Sequence, residues 1–545
     1  MLLAIALQGV GQMTRGMLQA SRARGYAAAR TTVAFNGLDV DALREGLLGS
    51  DPPVTEVAFS SEITHDAFKD QRLTEGLYPV RVTNAAAVTI VSTPGGVAAV
   101  SNGMAVHLPD RASASPHAQL DWAAIFLHLL AMAGAGAGLA TLLSIVVKSD
   151  AGHRPLGSWA LAGAFLVAVM TTAGSLLQSA LPRQAFPFLA VVLAAVAAFA
   201  AARRRLLPLE WPAIPTALAL VLGAAVAWVS LMLPIAQWDG RSIWFFRAHE
   251  ISAHGFLSLA DGANPVSIWT QHDYPPLLAA LAAFFGGEAS HYSERAAAVA
   301  IPVLATASMV QLARILNRAS GPQAACWALL LLFGASWRWW MGGYADSHLA
   351  MLLTLEVLAL STPQGLPLGW LAAWSAALLK REGFVLAVLL AAVVLARANP
   401  IERKRSIVWA LGFVPAIGWA LWAHKLGTSV QIPTASSVAH LGDRIATLWS
   451  ERSWILHACP LLWVSAAGIG LRAVLNGRPS RLAAGCLLAA LVAFGFGLSA
   501  VLLSSHSDIR WLIHTAQDRL LLHAAALECA SIFTWTSEPS SAGKC

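Results

Sequence analysis

Apolar runs long enough to cross a lipid bilayer recur along most of this chain from residue 122 onward. A hydrocarbon layer roughly 30 Å thick needs about 18 or more apolar residues in a helix. Charged residues make up only 12% of the sequence, whereas soluble domains carry about 25%. The mean hydropathy of +0.62 points the same way. We therefore expect an all-α polytopic membrane protein.

The membrane part divides into two groups of helices. Residues 122–205 are expected to form three accessory helices. Residues 214–535 are expected to form a larger core, interrupted by a long loop at 237–293. The pattern predicts about 13 transmembrane helices in total, at about 122–147, 157–179, 185–202, 214–234, 294–315, 323–338, 346–361, 366–380, 384–397, 406–424, 455–474, 481–504 and 519–535.

The N-terminal region differs from the rest in composition. Residues 1–20 are apolar but short and lack a basic leader, so they fit the remnant of a signal anchor or the end of a spanning helix. Residues 21–118 have soluble composition and predict a small α+β lobe without evident chemistry. Its predicted elements are a helix at 38–48 and strands at 31–35, 55–59, 78–82, 88–91 and 97–106.

Short basic clusters lie in alternate loops between the apolar runs. Lys and Arg concentrate in cytoplasmic loops, so this alternation predicts the orientation of the chain. The N-terminal lobe and the 237–293 loop are then extracytoplasmic. The clusters are Lys148 and Arg154, Arg203 to Arg205, Arg314 and Arg318, Arg397 with Arg403 to Arg405, and Arg472, Arg478 and Arg481.

Composition and motifs argue against several function classes. The net charge of +7 follows from these loop clusters, so it does not indicate a nucleic-acid partner. The five cysteines include no CxxC pair, which disfavours a disulfide framework or a zinc ribbon. The chain also contains neither a phosphate-binding GxxxxGK[ST] loop nor a dinucleotide fingerprint opening a strand–helix unit.

The stretch from Gln237 to Pro276 is acidic, aromatic and irregular in a chain that is otherwise lipid-like. Asp239 heads it and is the candidate catalytic residue; the alternative is a cap for a helix starting at residue 241 or 242. His249 and Glu250 are candidate substrate contacts, or else a solvated helix face. A zinc protease is disfavoured, because His249 and His254 are five residues apart and point about 140° from each other on a helix.

Three further motifs place polar residues at the ends of apolar runs. Asp273 and Tyr274, followed by two prolines, are candidate substrate contacts or a stiff junction. Asp346 either contacts substrate or caps the next helix. The last motif, at residues 380–383, holds Lys380 and Arg381.

Cations at the extracytoplasmic ends of helices are candidate phosphate ligands. Lys380 and Arg381 carry charge suited to anionic oxygens, although snorkelling toward water is an alternative. Arg519, at the start of the final span, is the third candidate, with an interfacial helix held by ion pairs as its alternative.

These motifs resemble the GT-C class of polytopic glycosyltransferases, which includes protein O-mannosyltransferases, the lipid A aminoarabinose transferase and family 39-like bacterial proteins. The resemblance covers residues 214 to about 530. It rests on five fragments in order: Trp238-Asp239-Gly240, Asp273-Tyr274-Pro275-Pro276, Gly343-Tyr344-Ala345-Asp346, Lys380-Arg381-Glu382-Gly383 and Asp518-Arg519-Leu520.

The resemblance implies transfer of a hexose or pentose from a polyprenyl phosphate outside the cytoplasmic (inner) membrane. The acceptor would be a lipid, a glycan or a protein. By analogy Asp239 is the general base, while Lys380, Arg381 and Arg519 stabilise the phosphate leaving group. Some relatives have two adjacent acids after the first core helix, but Gly240 follows Asp239 here. Dependence on a divalent metal therefore stays open, as does inversion or retention.

Two other hypotheses remain. A transporter or flippase of a lipid-linked or anionic substrate would also use charges near helix breaks, although no internal repeat is evident. A structural role, with a lobe anchored by helices, would account for residues 1–205 but not for the chemistry of the loop.

Overall fold

A computed structural model describes the chain in several stretches. It is predominantly helical, and within the described residues six helices are long and apolar enough to cross a membrane, in agreement with the predicted all-α membrane class. The described residues are 11, 14, 15, 40–105 with short gaps, 120–147, 156–204, 213–262 except 236, 270–288, 292–362, 365–396, 409–426, 440–450, 481–503 and 509–534.

A small mixed sheet lies in the N-terminal region. Its strand order is β2-β1-β3-β4-β5, with β1 parallel to β2 and β3, and with β3–β4 and β4–β5 antiparallel. Alternate residues such as Val57 and Ile90 are buried in a hydrophobic cluster of this region. The predicted strand at 31–35 and most of residues 1–20 lie outside the described residues. The elements are α1 (Val40–Leu48), β1 (Glu56–Phe59), α2 (Ser61–Thr64), β2 (Arg81–Val82), β3 (Val88–Thr93), β4 (Gly96–Ser101) and β5 (Met104–Ala105).

The long helices that follow are apolar on most sides, which is typical of membrane segments. Four come first: α3 (Trp122–Val147), α4 (Leu156–Leu177), α5 (Leu181–Arg204) and α6 (Ile214–Met232). Next come α7 (Phe246–His254), α8 (Leu259–Gly262), α9 (Leu277–Gly286), α10 (Glu294–Ala297) and α11 (Ala300–Met341). The remainder are α12 (Asp346–Leu360), α13 (Leu366–Ala377), α14 (Arg381–Leu395), α15 (Val414–Lys425), α16 (Leu441–Ser450), α17 (Arg481–Leu503) and α18 (Ile509–Phe533).

Helix α11 is two helical rods joined by a kink. Gly321 has φ 84° and ψ 171°, and Pro322 follows it. Only glycine adopts that backbone conformation readily, and the proline has no N–H with which to continue the helical hydrogen bonds. The kink falls between the two spans predicted at 294–315 and 323–338. The span predicted at 455–474 lies outside the described residues.

The stretch after α6 is helical and buried, so the expectation of an irregular segment is wrong for residues 240–254. A π-helix spans Gly240–Phe245 and continues directly into α7. Its aromatic side chains explain the difference: Trp244, Phe245 and Phe246 are each at most 5% exposed. The segment therefore packs as part of the protein core.

The accessory helices are tied to the end of α7 by hydrogen bonds. Between α4 and α5, the Gln178 side chain accepts from the Leu259 amide, and Ser175 Oγ accepts from the Leu257 amide. Arg183 of α5 donates to the carbonyl of Ile251 at 3.2 Å and to that of Ala283 at 3.3 Å. The first group of helices thus helps to position the π-helix and α7.

Candidate functional site

Four charged residues from distant parts of the sequence meet in one cluster. Arg519 of α18 forms an ion pair with Asp239, which precedes the π-helix. Lys380, just before α14, donates from Nζ to Oδ1 of Asp346 at 2.9 Å. The charge of Arg519 also interacts with Asp346, which joins the two pairs. The structure therefore brings together the predicted base and two of the predicted phosphate ligands.

Asp239 is fixed in place by a close backbone contact beside it. A Cβ atom at Gly240 would lie 1.9 Å from the carbonyl oxygen of Gly342, so only glycine fits there. This contact brings Asp239 next to the turn that holds Tyr344, whose ring lies 5.5 Å from the Arg519 guanidinium carbon. The capping alternative for Asp239 is wrong, since its side chain makes no cap hydrogen bond.

Asp346 is the first residue of α12, and Ala345 occupies the cap position. A carboxylate in the first turn is favourably placed relative to the helix dipole. Asp346 also lies 3.9 Å from Nε2 of His523, measured from Oδ1. With 3% of its surface exposed, Asp346 is a buried ion-pair partner of Lys380, and the capping alternative is wrong because Ala345 occupies the cap position.

Asp273 and Tyr274 meet the start of α14. Arg381 Nη1 lies 2.5 Å from Oδ2 of Asp273, and the Tyr274 hydroxyl donates to Oε1 of Glu382 at 3.4 Å. The Tyr274 ring lies beneath both cations, with its centroid 5.3 Å from Lys380 Nζ and 5.0 Å from Arg381 Cζ. Aromatic faces attract cations at such distances. Asp273 and Tyr274 are thus in direct contact with the predicted phosphate ligands Lys380 and Arg381.

Burial raises the pKa values of two groups in this part of the site. It raises the pKa of Tyr274 to about 12, so the hydroxyl remains a hydrogen-bond donor at neutral pH. Burial also raises the pKa of Asp273, and the charge of Arg381 opposes that rise. Lys380 is only 7% exposed and is ion-paired inside the protein, so the snorkelling interpretation is wrong for it.

Glu250 lies at the buried end of the cluster. Its Oε2 is 3.2 Å from Nε2 of His272, whose ring also contacts the Thr270 hydroxyl at 2.8 Å. Glu250 is 2% exposed and His249 7% exposed. The solvated-face interpretation is therefore wrong for both. His249 stacks on Tyr292 with ring centroids 4.5 Å apart, so its observed contact is an aromatic packing contact.

The members of the cluster differ in their exposure to solvent. The side chains of Asp239, Arg519 and Arg381 are 23%, 22% and 25% exposed. Glu250 and Arg247, in contrast, are almost completely enclosed. The Asp239–Arg519 pair and Arg381 are thus the solvent-accessible part of the cluster.

Several members of the cluster were not predicted as site residues. Arg247 and His523 had a usable signal, because each lies three or four positions from a predicted residue on the same helix, Glu250 and Arg519 respectively. Glu382 was visible within its motif but was not assigned a role. For Trp244, which stacks on Tyr274 at 5.6 Å, and for His272, no local pattern separates them from their neighbours.

The charges within the described cluster nearly balance. Its cations are Arg247, Lys380, Arg381 and Arg519, and its carboxylates are Asp239, Glu250, Asp273, Asp346 and Glu382. An anion that enters must therefore take a cation away from a carboxylate. Among the described residues, no group of three or more His, Cys, Asp or Glu side chains is arranged to hold a metal ion.

Comparison with known proteins gives no match to any family model, curated protein or solved structure.

Proposed function

We propose that this protein is a membrane glycosyltransferase of the GT-C type with about 13 transmembrane helices. It moves a sugar from a polyprenyl phosphate to a lipid, glycan or protein acceptor on the extracytoplasmic side of the cytoplasmic membrane. The observation that carries the proposal is the cluster of Asp239, Asp346, Lys380 and Arg519, drawn from four distant segments. A carboxylate next to a group of cations is what this transfer requires.

The leaving group accounts for the cations. When the bond between the anomeric carbon and the phosphate oxygen breaks, its electron pair stays on the lipid phosphate. Lys380, Arg381 and Arg519 are the groups that would stabilise the growing negative charge. Each is now paired with a carboxylate, so each would exchange that partner for phosphate oxygens.

The pairing of Arg519 with Asp239 gives this exchange a catalytic consequence. As long as Arg519 is paired with the carboxylate, Asp239 is not free to contact the acceptor hydroxyl. If Arg519 turns to the donor phosphate, Asp239 is released to accept the proton of the acceptor hydroxyl. The acceptor oxygen then bonds to the anomeric carbon as the phosphate departs. Donor binding would therefore come before activation of the base.

A transfer assay tests the proposal. Membranes containing the full chain are supplied with labelled sugar on undecaprenyl phosphate and with a total lipid, glycan and protein extract as acceptor. Labelled product should form with the wild type and with the exposed-site control Asp443→Asn, and should be lost with Asp239→Asn. Equal product from Asp239→Asn and the wild type would refute the assignment of the base.

Transport of a lipid-linked or anionic substrate is the second candidate, and one observation favours it. Glu356 of α12, in a segment predicted to lie within the membrane, is fully buried, and among the described residues its carboxylate interacts with the Ala391 backbone and with no cation. Ionisable residues at that depth often serve transport. Substrate counterflow in vesicles without glycosylation, abolished by Glu356→Gln, would support this candidate over the transferase.

A further inference from the structure

Arg247 is a buried cation whose guanidinium group has no hydrogen-bond acceptor among the described residues. It is 0% exposed, and in the part of the chain that is described none of its three guanidinium nitrogens has a hydrogen-bond acceptor. Unsatisfied buried donors are costly, and more so when they are charged. The other buried arginine of this segment differs: Arg241 donates to Glu294 and to the carbonyl of Ile235. The guanidinium donors of Arg247 would therefore be satisfied by acceptors on a bound ligand.

The position of Arg247 connects it with the phosphate-binding end of the cluster. Its charge interacts with Glu250 and Asp273, and Asp273 is also paired with Arg381. Asp273 is therefore a carboxylate shared by the partly exposed cation Arg381 and the enclosed cation Arg247. A ligand whose phosphate binds beside Arg381 would have its next chemical group near this shared carboxylate.

The side chains around Arg247 indicate the chemical class of the ligand group that it would bind. Its guanidinium carbon lies 5.4 Å from the ring centroid of Trp419, and Trp419 packs on Trp422 at 4.6 Å. Glu250 and Asp273 already balance its charge, so a second anion is disfavoured. Neutral oxygens that accept from the guanidinium, and hydroxyls that donate to the carboxylates, satisfy both kinds of group. A sugar ring offers both, together with C–H faces for an aromatic ring.

We propose that Arg247, with Glu250 and Trp419, forms the subsite for the sugar ring of the lipid-phosphate donor, an inference that rests on the proposed function. The phosphate and the sugar of the donor are thereby bound by different residues. Its phosphate is bound by Lys380 and Arg519, and its sugar hydroxyls are bound by Arg247. Arg247 makes its hydrogen bonds to sugar oxygens only when the donor carries a sugar.

Binding of matched lipids to the full chain in nanodiscs tests this division. The probes are tritiated mannosyl-, glucosyl- and arabinosyl-phosphoundecaprenol, compared with methyl-phosphoundecaprenol, which has the same single charge and no sugar. In the wild type at least one sugar lipid should bind more tightly than the methyl ester. Arg247→Gln should reduce that advantage by about tenfold or more and leave the affinity for the methyl ester unchanged.

Two controls separate the possible failures. Arg519→Gln should weaken sugar and methyl lipids alike, and Arg241→Gln, which removes a buried arginine that is ion-paired with Glu294, should leave their ratio unchanged. An advantage that survives Arg247→Gln, or no advantage of any sugar in the wild type, would overturn the subsite. Failure of the wild type to bind any of these lipids would instead overturn the proposed function.

Discussion

Replacing Lys380 by methionine should destabilise the protein strongly. The Lys380–Asp346 pair has 2.9 Å between Nζ and Oδ1, and its side chains are 9% and 4% exposed. Removing one partner of a buried pair costs about 3–5 kcal/mol, because the other charge is left uncompensated. Asp346 keeps the charge of Arg519 and a contact with His523, so we expect the lower end, about 3 kcal/mol. That corresponds to a drop of about 150-fold in the folded-to-unfolded ratio.

The assay is unfolding of the detergent-solubilised chain by SDS titration, followed by the fluorescence of its 21 tryptophans. The exposed-site control Lys425→Met should change the unfolding free energy by less than about 0.5 kcal/mol. The double variant Lys380→Met/Asp346→Asn should recover about half of the loss or more, since no buried carboxylate is left without its partner. A cost below about 1 kcal/mol for Lys380→Met, as for a surface pair, would refute the buried ion pair.

Two further substitutions examine how the site is built. Gly240→Ala should lower the unfolding free energy by about 1–3 kcal/mol, because its Cβ would lie 1.9 Å from the carbonyl oxygen of Gly342. Gly442→Ala, with open space at the Cβ position, is the matched control, and equal effects of the two would contradict the close contact. Tyr274→Phe should cost about 1 kcal/mol through loss of its hydrogen bond to Glu382. Tyr274→Leu should cost about 1–2 kcal/mol more, because the ring beneath two cations is also lost, and equal costs would argue against that ring contribution.

Much of the helical architecture could be predicted from the sequence, because long apolar runs have few alternatives to helices in a membrane. The six long apolar helices begin or end within several residues of predicted spans. The kink in α11 was also foreseeable, since Gly321-Pro322 separates two apolar runs. The buried π-helix at Gly240–Phe245 was not, because Asp239 before it and Arg241 within it are typical of a solvated loop when neighbours far along the chain are unknown.

Several residues of the site could be predicted from the sequence, but not which cation pairs with which carboxylate. Each of Asp239, Lys380 and Arg519 stands out locally as a charge at the end of an apolar run. Which carboxylate each cation would select depends on how α12, α14 and α18 pack, and no local pattern encodes that. The same limit explains Arg247, whose importance is visible only when its burial and its missing acceptors are known.

The affinity of undecaprenyl phosphate for wild type and for Asp239→Asn tests the central claim most directly. If Arg519 must leave Asp239 to bind the donor phosphate, removing that carboxylate charge removes a competitor. Asp239→Asn should then bind undecaprenyl phosphate about tenfold more tightly while losing transfer. Unchanged or weaker binding by Asp239→Asn would contradict the exchange of Arg519 between its carboxylate and the lipid phosphate.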